Sequence, residues 1–227
     1  MTNCLMCGRY LKEAFSFTWF FSFEKLEKKY VCQACLAKFL KIKTSCLGCG
    51  RKQRQATLCQ DCMRWQKMGV TLIQNKALYV YNEAMKDYMK RYKFLGDYEW
   101  RLILKKEFTQ FVLKNYPPKE YLYCPIPIDI TTKQTRGFNQ VEGLLEDLKL
   151  TSLLEFKPVT NRKKQSHKTR KERMQTKQPF VYCGDPNLKV KKIVLLDDIY
   201  TTGKTLYHAA EILQQYALKI QACTLAR

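Results

Sequence analysis

Two groups of residues have the types and the spacing to do chemistry. Eight of the eleven cysteines fall into four C-x-x-C pairs: Cys4/Cys7, Cys32/Cys35, Cys46/Cys49 and Cys59/Cys62. Two residues between thiolates let both sulfurs of a tight turn reach one ion at about 2.3 Å, and two such turns complete a tetrahedron. Gly follows both Cys7 and Cys49, in "CGR" each time, which suits a turn that needs an unencumbered backbone. The expected arrangement is one zinc at Cys4, Cys7, Cys32 and Cys35 and a second at Cys46, Cys49, Cys59 and Cys62. A single filled site and an interleaved pairing also fit the spacing. Redox dithiols are disfavoured by four such motifs without a thioredoxin-like context. So short a segment has too little core to fold alone, and it contains no His. Closed tetrathiolate sites leave no position for a reactive water, so zinc here is read as structural.

The second group is Ile193 to Thr205, "IVLLDDIYTTGKT". An apolar run enters two adjacent carboxylates and then a Thr-rich turn around one Gly. The "GKT" invites comparison with a triphosphate-binding P-loop, which needs another Gly five positions before Gly203. That position is Asp198, so the P-loop reading fails. A single phosphate still fits, because the turn opens a helix whose free N–H groups, dipole and Thr hydroxyls can surround one. Asp197 and Asp198 suit hydroxyl donors rather than another anion. A ribose 5′-phosphate satisfies both halves, with its phosphate on Thr201, Thr202, Gly203, Lys204 and Thr205 and its 2′- and 3′-hydroxyls on the carboxylates.

These groups need elements to hold them. The cysteine density falls near Lys67, which divides a cysteine-rich zinc-binding segment, 1–66, from a second unit, 67–227. Helical spacing is expected over Asn82 to Lys93 and Glu99 to Lys114, stopped by Pro117-Pro118. "EYLYCPIPI" reads as a buried strand and "TRGFNQVEGLLEDLKL" as a turn leading into a helix. A strand near Phe156 to Thr160, a buried strand in "KKIVLLDDI", a turn and helix in "TTGKTLYHAAEILQQY" and a last strand in "KIQACTLAR" follow. Strands alternating with helices predict an α/β fold with a parallel sheet. Cys124, Cys183 and Cys223 sit singly in apolar stretches and are expected in the core.

The composition names a class of partner. With 41 Lys and Arg against 20 Asp and Glu, the net charge is +21, which favours a polyanion, nucleic acid ahead of a membrane surface. A solvated basic surface is the plain alternative. The run Lys157 to Lys177 carries nine Lys or Arg and one Glu. It reads as a mobile arm, able to close over a ligand, follow a phosphate backbone or lie in solvent. Its candidate DNA contacts are Arg162, Lys163, Lys164, Lys168, Arg170, Lys171 and Arg173. Tyr92, Phe94, Tyr98 and Trp100 stand near Lys90, Arg91 and Lys93, where they either stack bases or belong to the core. The alternating aromatics of Phe15 to Phe23 read as a strand, and the stretch is too short to span a bilayer. No secretory signal opens the sequence, so a cytoplasmic protein without stable membrane insertion is expected.

The "IVLLDDIYTTGKT" run closely resembles the phosphoribosyl pyrophosphate (PRPP) motif of type I phosphoribosyltransferases. That resemblance implies PRPP held by Asp197, Asp198 and Thr201 to Thr205, with magnesium bridging pyrophosphate and ribose. The four C-x-x-C pairs, "RYKFLGD" (91–97), "CPIPI" followed by "RGFNQ" (136–140), and the basic run together resemble the ComF family, from Cys4 to the closing "LAR". The family implies a double zinc ribbon before a phosphoribosyltransferase fold. It also implies a role in natural transformation, handling single-stranded DNA beside the ComFA helicase. An active phosphoribosyltransferase of unknown acceptor is the alternative. In this fold the loop carrying Lys133 and Arg136 faces the pyrophosphate. Arg136 is then a pyrophosphate contact, or it only pins Asn139 or the start of the next helix.

Overall fold

Val194 and Leu196 project from one side of a strand and Ile193 and Leu195 from the other, and all four are completely buried. A strand apolar on both faces belongs inside a sheet covered above and below. The computed structural model of the chain has this architecture and describes residues 2–11, 28–157 and 178–227.

The described chain opens with β1 (Thr2–Asn3) paired antiparallel to β2 (Tyr10–Leu11), followed by the short helices α1 (Gln33–Leu36) and α2 (Gln60–Lys67). Next come β3 (Asn75–Tyr79), α3 (Glu83–Phe94), a 3-10 turn at Tyr98–Trp100, and α4 (Arg101–Asn115). β4 (Tyr121–Pro125) leads to α5 (Ile130–Arg136) and α6 (Gln140–Leu144). β5 (Leu154–Phe156) pairs antiparallel with β6 (Phe180–Tyr182). The chain ends with β7 (Val190–Ile199), α7 (Lys204–Leu213) and β8 (Ala217–Ala226). The main sheet runs β3-β8-β7-β4 with every pair parallel.

The crossover from β3 to β4 traverses the sheet in the opposite sense to that from β7 to β8. Right-handed crossovers therefore place α3 and α4 on one face and α7 on the other. α3 starts at Asn82, whose side chain accepts the Met85 N–H. It then buries Met85, Tyr88, Met89 and Tyr92, at helical spacing, beside Leu104, Phe108 and Val112 of α4 and under Val194, Leu196 and Leu225. On the other face Leu206, Ala209 and Leu213 of α7 pack with Leu154, Phe180, Ile193, Leu195 and Ala222, and Cys46, Cys49, Cys59 and Cys62 belong to that same core. The outer edge of β3 is covered by residues 40–42, through Ile42 N–H to Leu78 O at 2.9 Å and Val80 N–H to Leu40 O at 2.8 Å.

Two expectations change, and an alternative left open by the sequence is decided. Residues 130–136, read as loop, form α5, because the Asp129 carboxylate accepts the Thr132 N–H at one end and Gly137 stops the helix at the other. Cys183 is exposed, since it lies just past the end of β6, whereas Cys124 and Cys223 are buried. Tyr92 and Trp100 are core residues, too buried to stack on a base, while Tyr98 is partly exposed and holds Arg101 over its ring at 3.9 Å. The aromatic run 15–23 and the arm from 158 to 177, with its seven candidate DNA contacts, lie outside the described residues.

Phe108 has no exposed surface, while Leu113 on the same helix is 38% exposed. Phe108→Ala is expected to lower stability by about 3–5 kcal/mol, and Leu113→Ala by less than about 0.5 kcal/mol. Urea unfolding midpoints at unchanged slope measure both.

Candidate functional site

Cys4, Cys7, Cys32 and Cys35 form one cluster and Cys46, Cys49, Cys59 and Cys62 another, each with all sulfurs within 4.8 Å of one another. The Cys7 and Cys32 sulfurs are 3.8 Å apart, and the Cys46/Cys62 and Cys49/Cys59 pairs are each at 3.6 Å. Four sulfurs at tetrahedral corners about 2.3 Å from an ion lie about 3.8 Å from one another, so both clusters fit one. Backbone donors prepare the thiolates, from Cys32 N–H to Cys4 Sγ at 3.3 Å and from Cys59 N–H to Cys46 Sγ at 3.2 Å. Burial opposes ionisation, but N–H groups of Cys32, Cys7 and Met6 hold the Cys4 thiol down to about 6. The donor set can hold metal ions and is consistent with zinc.

The two clusters differ in setting. Cys7 of the first is exposed, while all four residues of the second are buried. The second is bolted to β3: Asn75 donates its N–H to Gly48 O at 2.7 Å and its side-chain NH2 to Cys49 O at 3.1 Å. A side chain at position 50 would meet Asn75 O at 2.8 Å with φ at +73°, so the turn after Cys49 requires Gly. Arg51 and Asp61 pair at 2.5 Å and tie the two knuckles of this cluster together.

A cleft of about 600 Å³ opens at the carboxyl ends of β4 and β7. β4 ends at Pro125 opposite Leu196. β7 continues to Ile199, which stands Asp197 and Asp198 free of the neighbouring strand on that side. Strand alternation turns Asp198 to the face that carries α3, where it ion-pairs with Lys93. Asp198 is buried and Asp197 half-buried, and the Asp198 N–H is held by the Asp197 carboxylate at 2.8 Å. Burial, and then the charge of Asp198, push the Asp197 carboxyl up to about 8, with Lys93 opposing the rise.

The other walls supply cations and turn donors. Lys86, Lys90 and Lys93 fall on one face of α3 and line the cleft with Arg136 of α5. The Arg136 Nε–H donates to Lys93 O at 2.8 Å, which joins the ends of α5 and α3. Burial lowers the Arg136 pKa, against the attraction of Asp198 and Asp129. Arg136 thus shares the cleft with the acidic pair, and Asn139 is held independently. Asn139 accepts the Val141 N–H at 2.9 Å and donates to Ile126 O at 3.1 Å. Thr201, Thr202, Lys204 and Thr205 line the opposite side, where α7 begins. Gly203 caps that helix at φ +79°, in the left-handed region.

Of the eight residues proposed from sequence for a sugar phosphate, the structure brings Asp197, Asp198, Thr201, Thr202, Lys204, Thr205 and Arg136 to one cleft, with Gly203 at its turn. Sequence reasoning did not assign Lys86, Lys90, Lys93, Asp129 or His208 to it. The spacing of 86, 90 and 93 on a helix was the available signal for the lysines. The tertiary fold alone brings Asp129 and His208 in.

A family described as phosphoribosyl transferase domain matches residues 144–227. Competence protein ComFC of Streptococcus pneumoniae is 37% identical over 223 residues, spanning 96% of each chain. Competence protein ComFC of Bacillus subtilis is 34% identical, covering 99% of this chain and 94% of its own. A crystal structure of a hypoxanthine phosphoribosyltransferase from Staphylococcus aureus overlaps 55% of this chain and 61% of that one, at 16% identity and a TM-score of 0.30. Full-length relatedness to the two ComFC proteins, with a phosphoribosyltransferase domain on a parallel sheet and two cysteine clusters before it, places this chain in the ComF family.

Proposed function

We propose that the protein serves natural transformation, binding single-stranded DNA beside a ComFA-type helicase, with a cleft that binds PRPP and magnesium. The observation that carries the ligand class is the juxtaposition in one cleft of a Thr-rich helix-opening turn, two adjacent carboxylates and a wall of Lys86, Lys90, Lys93 and Arg136. The turn offers donors to a 5′-phosphate. The carboxylates would accept from the ribose hydroxyls, with magnesium supplying charge neutralisation at the pyrophosphate. The cations meet the pyrophosphate. Magnesium, when bound, screens the pyrophosphate from the acidic pair. Zinc fills the two cysteine clusters in a structural role. The competence role is supported by the names of the relatives, and DNA binding by the +21 charge and the basic run at 157–177. Among the described residues no helix is long and apolar enough to cross a membrane.

The same cleft also admits turnover. Preorganised charge on both sides of a C1–O bond is the principal catalytic device such a transfer needs. Pyrophosphate release from PRPP in the presence of candidate bases, lost in Asp198→Ala, would establish it.

Calorimetry with PRPP and magnesium tests the cleft directly. Asp198→Asn and Thr202→Val are each expected to weaken binding by about 1–3 kcal/mol, roughly 5- to 150-fold. Equal affinity in wild type and Asp198→Asn would refute the site. The pH dependence has a definite sign, because the folded pKa of Asp197 is raised. The stability that comes with holding this proton is fully present below the ordinary carboxylate pKa of 3.8, falls as the pH rises above it, and is gone once the pH has passed through about 8. Binding needs the ionised form, so PRPP affinity should increase from pH 7 to 8.5 in wild type and stay flat in Asp197→Asn. For DNA, replacing Lys163, Lys164, Arg170 and Arg173 by Gln should weaken oligonucleotide binding. It should also reduce the salt slope by up to about 3, at about 0.7 per lost phosphate contact on a single strand. Absence of oligonucleotide binding by wild type at low salt would remove the direct DNA role.

A further inference from the structure

The second cysteine cluster lies behind the phosphate-type turn, and two side chains bridge them. Tyr200, between the acidic pair and the turn, is 4% exposed. Its ring occupies the volume that a side chain on Gly203 would need, with the phenol oxygen 2.2 Å and Cζ 2.5 Å from the position of a Cβ. Tyr200 therefore shapes the turn by direct contact at the one residue whose left-handed backbone starts α7. Behind Tyr200 lies Arg227. Its guanidinium carbon sits 4.8 Å from the Tyr200 ring centroid, and its Nη1 donates to Tyr200 O at 3.3 Å. Its other terminal nitrogen, Nη2, donates to Cys49 Sγ at 3.7 Å. Arg227 is itself fixed to the sheet, donating its N–H to Tyr79 O at 3.0 Å and accepting from Tyr81 N–H at 3.1 Å.

A second contact runs in parallel. Trp65, on the helix that carries Cys62, stacks on Tyr207 of α7 at 5.2 Å and 25° between planes. A cavity of about 180 Å³ between the two sites is walled by Cys49, Cys62 and Trp65 on one side and Thr201 and Thr202 on the other. The first cysteine cluster has no such connection among the described residues, since it packs with Leu11, Met6 and Val31.

We propose that Arg227 and Tyr200 form a strut through which a metal ion in the second cysteine cluster fixes the shape of the Thr201–Thr205 turn, coupling the metal site to the phosphate site. A divalent ion held by four thiolates leaves a net charge of −2 in a buried place, and the Arg227 guanidinium offsets part of it while lying flat on Tyr200. When the ion leaves, the four sulfurs are no longer held together, so Arg227 loses the fixed Cys49 Sγ that anchors its Nη2, and Tyr200 loses its backing. Coupling of this kind is reciprocal: whatever ligand binds the ordered turn better also raises the affinity for the ion. Arg227 and Tyr200 are positioning residues and touch no ligand. The reciprocal arm rests on the reading of the turn as a phosphate site.

The test uses the full chain loaded with zinc and follows chelator-driven release together with amide exchange of residues 200–207. Release from the first cluster is the internal control, identified as the phase that Cys7→Ser removes. Arg227→Met and Tyr200→Leu are each expected to speed release from the second cluster by roughly ten-fold and to raise exchange across the turn, leaving the first-cluster phase unchanged. PRPP with magnesium should slow second-cluster release in wild type and have no such effect in Arg227→Met. Release and exchange in Arg227→Met within two-fold of wild type would overturn the strut, whether or not Tyr200→Leu folds. If wild type does not bind PRPP, the sugar-phosphate reading fails, and the exchange measurement still decides the strut.

Discussion

Two adjacent carboxylates at the end of a buried strand are the constraint around which the rest of the molecule is arranged. At an effective dielectric of about 20, like charges about 6 Å apart repel by roughly 3 kcal/mol. Desolvation adds to that cost for a residue as buried as Asp198. The chain meets it with Lys93, brought to Asp198 from the last turn of α3. α3 can deliver Lys93 because Met85, Tyr88, Met89 and Tyr92 lock its other face against the sheet. Asp197 forms no ion pair among the described residues, and burial with the neighbouring Asp198 charge pushes its carboxyl up, against the pull of Lys93. The hydrophobic face of one helix thus places the cation that answers the buried carboxylate at the floor of the cleft.

The front end answers a different constraint. Few large apolar residues stand between Cys46 and Cys62, so this segment folds around its sulfurs, and those sulfurs then serve as core for the neighbouring layer. Cys46, Cys49, Cys59 and Cys62 pack with Leu206 and Tyr200 as a cluster of ordinary hydrophobic residues would. Asn75 of β3 joins the cluster to the sheet, its side-chain NH2 donating to Cys49 O on one side and to Thr224 Oγ1 of β8 on the other. The second cysteine cluster is therefore continuous with the sheet's own packing, although the sequence there changes composition abruptly near Lys67.

What could be read from the sequence follows how local its cause is. The long strand β7, the helices α3, α4 and α7 and the parallel sheet follow from apolar period and from Asn82, Pro117 and Gly203, all acting within a few residues. α5 was missed because its signal is one capping carboxylate, Asp129, in an otherwise polar stretch that reads as loop. β3 was missed because "NKALY" is five residues long with an exposed Lys at its second position. The short hairpin strand β6 has no periodicity to detect in three residues. At the site, contiguity made the acidic pair and the turn legible. Lys93 and Arg136 lie far apart in sequence and meet through one backbone hydrogen bond, which no local pattern encodes.

That division also explains why the cleft has an acidic floor and a cationic wall that do not neutralise each other. If Lys86, Lys90, Lys93 and Arg136 all reached the carboxylates, the cleft would close on itself as a salt-bridge network. Only Lys93 forms an ion pair with the floor among the described residues. α3 runs past the acidic pair and presents its lysines one turn after another. Only the last is level with Asp198, and Arg136 is held back by its bond to Lys93 O. A ligand with hydroxyls at one end and phosphates at the other matches that separation of charge. A simple anion or cation matches only half of it.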